Sequence, residues 1–186
     1  TSSRYYYRVI TGNLTSEIYD FIMPPDPIDE ASFKIVAMSD MQQDAANPNK
    51  FEEIVHDGII TYFADNYFGD LPLDLQMILV PGDLVDNGWS YSQWANTFFA
   101  PAHPLFAHVP VYPVLGNHES DTDYYFDYFH LPENGTSGYE EHWWFTDYSN
   151  LRVVGLDSNP GYQLDAQLDW LEEVLNDACY RSNIDF

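Results

Sequence analysis

The chain has 186 residues, 45% of them hydrophobic and 17% aromatic, enough to bury a core of one-domain size and to exclude a disordered acidic tail. Thirty Asp and Glu stand against six Lys and Arg, a formal charge of −24 with a pI near 4.1. Nucleic acid and anionic membrane are excluded as general partners, because both are gripped by clustered Lys and Arg. Cations are favoured instead, as bound metal or as a salty medium that screens self-repulsion, and most of the excess reads as a solvated surface. No apolar run approaches the roughly 20 residues of a membrane span, and the first residues do not read as a signal peptide. Cys179 stands alone, so no disulfide framework is drawn. The triplets Asn13-Leu14-Thr15 and Asn134-Gly135-Thr136 permit N-glycosylation in a secreting eukaryote, which points to a secreted, extracellular or periplasmic address.

In chain order, residues 5–10 and 17–23 are aromatic and β-branched runs joined through Thr11-Gly12-Asn13, a predicted hairpin. Two strands alone are marginal in water, so they read as the last pair of a larger upstream β-sandwich. Pro24-Pro25-Asp26-Pro27 makes a stiff linker that cannot continue a ladder, which divides the chain into 1–28 and 29–186. From residue 33 short apolar runs alternate with helical stretches, the mark of an α/β domain around a mostly parallel sheet. Its first strand is 33–38. Asn47-Pro48 opens a helix to about Tyr67, with Phe51, Val55, Ile59 and Tyr62 on one face and Ile54 beside them. A second strand covers 75–80 and a second helix Ser90 to about Phe99, carrying Trp94 and Phe98; the stretch 103–108 reads as broken by proline. Residues 111–115 form a third strand, whose Pro113 suggests an edge. A long polar and aromatic loop is expected over 121–141, then two strands, 143–145 and 151–156, around Tyr148-Ser149-Asn150. The last helix spans about 164–178 with Leu164, Leu168, Leu171 and Leu175 as its buried stripe. Asn183-Ile184-Asp185-Phe186 reads as the start of a further strand.

The first three strands of the α/β region each run directly into a polar cluster: Ser39-Asp40-Met41-Gln42, Gly82-Asp83-Leu84-Val85-Asp86-Asn87-Gly88, and Gly116-Asn117-His118-Glu119. Ligands of open α/β sheets bind at the carboxyl ends of strands, so the three clusters are expected to converge. Two carboxylates, an amide oxygen and an imidazole suit Mg, Mn, Zn or Fe in a partly open site. An acidic site without metal repels phosphate, whereas one holding two divalent ions attracts it. Glycines ahead of Asp83 and Asn117 let the backbone turn sharply there.

These ordered motifs resemble the first three of the calcineurin-like metallophosphoesterases, with Gly-Asp-Leu-Val-Asp-Asn-Gly and Gly-Asn-His-Glu as the specific parts. The Tyr-rich hairpin and Pro-rich linker look like the end of the fibronectin-like domain that precedes purple acid phosphatase catalytic domains. Gly155-Leu156-Asp157-Ser158 with Gln167-Leu168-Asp169-Trp170-Leu171 is similar to the segment downstream of the third motif in that group. The resemblance implies part of an αββα sandwich and hydrolysis of phosphate mono- or diesters at two divalent or trivalent ions (Fe, Zn, Mn or Mg). Asp40 would bind one ion, Asp83 would bridge both, Asn117 would bind the second, and His118 would touch the phosphate and act as an acid on the leaving group. Gln42 stands where many relatives place a ligating histidine, and Asp86 where purple acid phosphatases carry their colour-giving tyrosine, which implies a colourless protein; with Glu119 these are weak ligands or supporting groups. The family's later His motifs are absent from the chain, so the resemblance implies a fragment that partners the remainder of its polypeptide and a phosphate ester substrate. A non-catalytic extracellular binding or structural module retaining the fold is the alternative.

Overall fold

In the computed structural model, which describes residues 3–26 and 31–185, the opening aromatic run pairs as expected. Strand β1 (Arg4–Tyr7) lies antiparallel to β4 (Tyr19–Ile22), and a short pair, β2 (Ile10–Thr11) and β3 (Leu14–Thr15), closes around Gly12 and Asn13. Cross-strand rings stack at 5.7 Å for Tyr5–Phe21 and pair at 5.6 Å for Tyr7–Tyr19, the contacts that stabilise a sheet face. The hairpin is pinned to the rest of the chain: Arg4 pairs with both Asp20 and Asp70, and the Tyr7 hydroxyl donates to the Ala107 carbonyl at 2.8 Å. Pro27 and Ile28 of the expected linker lie outside the described residues.

Strands β5 (Ile35–Ala37), β6 (Met77–Pro81) and β7 (Val111–Val114) make a parallel sheet in the order β5-β6-β7, with Ile35 beside Met77 and Ile78 beside Val111. Pro113, which has no N–H to offer a ladder, sits on an outer strand of this sheet. Helix α1 spans 50–66 and has π-type turns over Ile54–Ile60. Its buried face is Phe51, Val55, Ile59 and Phe63, whereas Tyr62 and Ile54 are exposed, contrary to the α-helical spacing read from sequence. Widened turns hold more residues each, so a repeat of four stays on one face where an α-helix would rotate away from it.

After the short helix α2 (Leu71–Asp74) comes α3, residues 91–106, which packs on α1. It buries Trp94 and Phe98 as expected, but runs on through Pro101 and Pro104 to Phe106. The π-type turns over Trp94–Phe99 lie just ahead of Pro101, and a widened turn is one way a helix accommodates a proline. The expected loop after β7 contains helix α4 (Asp123–Tyr128), capped by the Thr122 side chain accepting from the Tyr124 N–H. Its Tyr125, with Phe129, packs into the core beside Trp94 and Phe98, so this aromatic run serves packing.

Strands β8 (Trp144–Tyr148) and β9 (Leu151–Gly155) form the expected hairpin around Ser149 and Asn150, and Trp144 packs on Tyr112 of β7. The Asn134 amide donates to the Phe145 carbonyl at 2.8 Å and accepts from its N–H at 3.0 Å, while Asn13 lies exposed at its turn. Helix α5 (Asp165–Tyr180) covers β8 and β9 with Gln167, Trp170 and Val174, flanked by Leu164 and Leu171. Leu168 and Leu175 are 64% and 49% exposed, so the buried stripe is rotated from the leucine stripe read in the sequence. Polar anchors set that rotation. Gln167 clamps the Asp157 backbone from both sides at 2.8 and 2.9 Å, and Trp170 Nε1 donates to the Asn134 carbonyl. Among the described residues no helix is long and apolar enough to cross a membrane.

Trp170→Ala is expected to cost about 3–5 kcal/mol, while Leu168→Ala and Leu175→Ala change stability by less than about 1 kcal/mol, read as shifts in urea midpoint at constant slope. Equal losses at Leu168 and Trp170 would contradict this helix orientation.

Candidate metal centre

Because β5, β6 and β7 are parallel neighbours, their carboxyl ends share one rim, and three loops leave it together. The Met41 N–H donates to the Asp83 carbonyl at 3.0 Å, tying the first loop to the second. The His118 N–H donates to Asp83 Oδ1 at 3.2 Å, and the Gly88 N–H to the His118 carbonyl at 2.9 Å, tying the second to the third. Asp40 and Asp83 both have left-handed backbones, φ 56° and 54°, a conformation that a non-glycine residue holds only where its surroundings impose it. It turns each aspartate out of its strand direction at the same rim.

Glycine makes this closeness possible. A Cβ on Gly116 would lie 2.1 Å from Asp83 Oδ1 and 2.2 Å from Asp83 N, and one on Gly82 would lie 2.8 Å from Gly116 Cα. The two strand ends therefore touch backbone to backbone.

Glu119 holds them there. Fully buried, its carboxylate accepts from the amides of Asp83 at 3.0 Å, Leu84 at 2.8 Å, Val85 at 3.3 Å and Gly116 at 2.8 Å. Burial raises its pKa above the ordinary glutamate value, and those four amides oppose that rise. Its oxygens face backbone amides, so it positions the loops.

His118 Nδ1 donates to the Asp86 carbonyl at 2.7 Å, which leaves Nε2 as the ring nitrogen available to a ligand. That carbonyl is the main reason its pKa lies above the ordinary histidine value; partial burial opposes it, and the charges of Asp83, Asp86 and Glu119 add to it. Asp86 itself is exposed. Asp40 accepts from the Ser39 hydroxyl at 2.6 Å, and Asn117 is exposed with its carbonyl held by the Ser120 hydroxyl at 3.0 Å. Gln42 lines a cavity of about 380 Å³ with Ser39, Asp40, Lys50, Asn96 and Thr97. Its Oε1 is buried without a hydrogen-bond partner, which suits a cation-holding oxygen. The donor chemistry of Asp40, Gln42, Asp83 and Asn117 thus fits hard metal ions.

A second group was not read from sequence as a unit. Ligand atoms of Asp121, His142 and Asp157 lie within 4.8 Å of one another. His142 Nδ1 is 2.9 Å from Asp157 Oδ2, and its ring stacks at 4.2 Å on Tyr162, whose hydroxyl donates to Asp121 at 2.9 Å. Burial, helped by the bond to Asp121, pushes the Tyr162 hydroxyl up to about 12. Asn159 donates to the Leu115 carbonyl at 3.1 Å, so this group stands next to the β7 end. The available signal was Asp157 at the end of a strand, the position that picked out Asp40 and Asp83; His142, 15 residues earlier in the chain, had none. Of the other histidines, His103 and His108 meet Tyr19 and Asp20 of the hairpin, and His56 and His130 are exposed.

Glu119→Gln is expected to lower stability by about 1–3 kcal/mol, since its NH2 would confront amide donors. It should also move the amide NMR signals of Asp83, Leu84, Val85 and Gly116 more than those of β1 to β4. Unchanged signals would remove Glu119 from this role.

Comparison with known proteins places these observations. The family model for calcineurin-like phosphoesterases matches residues 33–179. No curated protein sequence is significantly similar to the chain. Among solved structures, purple acid phosphatase PPD1 from yellow lupin (Lupinus luteus) seeds aligns with TM-score 0.60 at 21% identity, a likeness of fold. The match covers 94% of this chain and 33% of that one, so the chain spans about a third of the lupin protein's length. The protein of unknown function AQ665 from Aquifex aeolicus aligns with TM-score 0.40 at 16% identity, over 78% of this chain and 74% of that chain.

Proposed function

Since the chain belongs to the calcineurin-like phosphoesterase family, we propose that it serves metal-dependent hydrolysis of phosphate mono- or diesters, with Asp40, Asp83 and Asn117 as metal-holding side chains and His118 beside the phosphate. The observation that carries this reading is electrostatic. Asp40, Asp83 and Asp86 stand on loops linked by direct hydrogen bonds, while five of the six Lys and Arg side chains are paired with other groups, Lys50 from the edge of the cavity that Asp40 lines. Arg4 pairs with Asp20 and Asp70, Lys50 with Glu53, Arg152 with Asp147 and Asp177, and Arg181 with Asp177, while Lys34 lies over the Tyr67 ring. A phosphate dianion at such a rim meets repulsion unless divalent cations reverse its sign.

In this reading two ions, drawn from Fe, Zn, Mn or Mg, supply the Lewis acidity that polarises the phosphoryl oxygens and activates the attacking water. His118, with Nδ1 fixed on the Asp86 carbonyl, presents Nε2 to the ester and holds a proton there for the departing oxygen. Glu119 keeps Asp83 and His118 in register throughout. In this reading the protein works in a secreted or periplasmic setting.

Asp83→Ala, assayed on an aryl phosphate alongside metal analysis, is expected to lose both bound metal and hydrolysis; retention of both overturns the reading. His118→Ala should lower kcat about 10²- to 10⁴-fold, with the smaller loss on esters whose leaving group is acidic, because such groups depart without a proton. A protein that binds metal stoichiometrically yet hydrolyses no phosphate ester would instead be a binding module. The metal-loaded protein should show no visible charge-transfer band, because Asp86 stands where a coloured centre needs a tyrosine.

A further inference from the structure

Strand β9 runs into a carboxylate that water does not reach. Asp157 is fully buried, and its side chain accepts from the Asn159 N–H at 2.9 Å and meets His142 Nδ1 at 2.9 Å. His142 is itself largely enclosed, its ring stacked on Tyr162 at 4.2 Å and tilted against Phe126 at 5.2 Å. Such packing leaves the imidazole little freedom to turn. The same Tyr162 donates its hydroxyl to Asp121 Oδ2 at 2.9 Å, and so draws a third group in from the loop that follows β7. Ligand atoms of Asp121, His142 and Asp157 thereby lie within 4.8 Å of one another, although the three residues come from three separate parts of the chain.

An ion pair between His142 and Asp157 accounts for two of these groups and not for the third. Two carboxylates this close repel each other, most of all where one is buried and the local dielectric is low. A charged His142 would neutralise one of them and leave the other. Among the described residues no Lys or Arg ion pair reaches either carboxylate, since those of Arg4, Lys50, Arg152 and Arg181 go to other acids. A bound cation supplies the charge that the side chains do not. One imidazole nitrogen with two carboxylate oxygens is a donor set for Zn2+ and its neighbours in the transition series, whereas Asp40, Gln42, Asp83 and Asn117 offer oxygen alone. Two ligands of a tetrahedral Zn2+ stand about 3.4 Å apart, so a small inward movement of the exposed Asp121 side chain closes the set.

We infer that Asp121, His142 and Asp157 bind one divalent ion of the Zn2+ class, which clamps the loop after β7 to the approach to β8 and the end of β9. The clamped loop is the one that carries Asn117 and His118, but the inference stands whether or not those residues hold metal.

The test uses the whole 186-residue chain, purified metal-free and titrated with Zn2+ while NMR follows the ring nitrogen signals of His142. Titration counts an ion too loosely held to survive purification, and circular dichroism checks the fold of each variant. The His142 signals are expected to move on Zn2+ addition in the wild type and in Asp83→Ala alike, and Zn2+ should raise the melting temperature of both. Asp121→Asn is expected to shift that response to at least about tenfold higher Zn2+. Asparagine tolerates the left-handed backbone found at this position, φ 51°, and still offers Tyr162 an acceptor, so this variant decides the matter if Asp83→Ala fails to fold. His142 signals indifferent to Zn2+ in the wild type, or a wild-type response in Asp121→Asn, would overturn the site and leave His142 and Asp157 as a plain ion pair. A response present in the wild type and lost in a folded Asp83→Ala would assign the ion to the rim, overturning this site and sparing the metal-dependent reading. A chain whose His142 responds as expected but which hydrolyses no phosphate ester would uphold the site while the proposed activity fails.

Discussion

One buried carboxylate organises this molecule's rim. A glutamate side chain withdrawn wholly from water is tolerated only where its lone pairs are filled, and Glu119 fills them with four backbone amides from two separate loops. That requirement dictates the arrangement at the strand ends. The loop after β6 must approach the loop after β7 until main chains touch, which only Gly82 and Gly116 allow. Asp83 must then take a left-handed turn, and the His118 amide falls on its carboxylate. A rim exposed to solvent is in this way held by a group that solvent does not reach.

Beneath the rim the platform is aromatic. Trp94, Phe98, Tyr125 and Phe129 form a contiguous set of edge and tilted ring contacts between α3, α4 and the sheet. Trp94 also reaches up to the Gly88 carbonyl at 2.7 Å, in the loop that carries Asp83 and Asp86. Core packing and loop position are therefore coupled through one indole N–H. On the other side Arg152, only 7% exposed, joins Asp147, Asp177 and the Val174 carbonyl, so β9 and α5 are locked by a buried cation whose charge is matched on both sides.

The parallel sheet, the hairpins and the three strand-end clusters are legible in the sequence because each is a local signal: alternating runs, turn dipeptides, and polar residues directly after apolar ones. The features that escape it are decided by partners distant in sequence. Leucine spacing misplaces the buried face of α5 because it ignores the Gln167 clamp and the Trp170 hydrogen bond, both of which reach other elements. Local spacing puts Tyr62 in place of Phe63 on α1 because it assumes α-helical turns, whereas the turns over Ile54–Ile60 are π-type. Pro101 and Pro104 suggest a break that the widened turns before them avoid. At the site, Asp40, Asp83, Asn117 and His118 announce themselves in short motifs, whereas the meeting of Asp121, His142 and Asp157 needs the fold to bring β7, β8 and β9 together.

The outward leucines of α5 have a colloidal consequence. Leu168 and Leu175, with Leu156 close by at 40% exposure, present apolar surface on a chain carrying −24 charges. At low ionic strength mutual repulsion keeps two such surfaces apart. As the screening length contracts to about 8 Å near physiological salt, that repulsion shortens to the range of contact while the apolar attraction is unchanged. The same electrolyte that relieves the acidic surface therefore lowers the electrostatic barrier between such leucine surfaces.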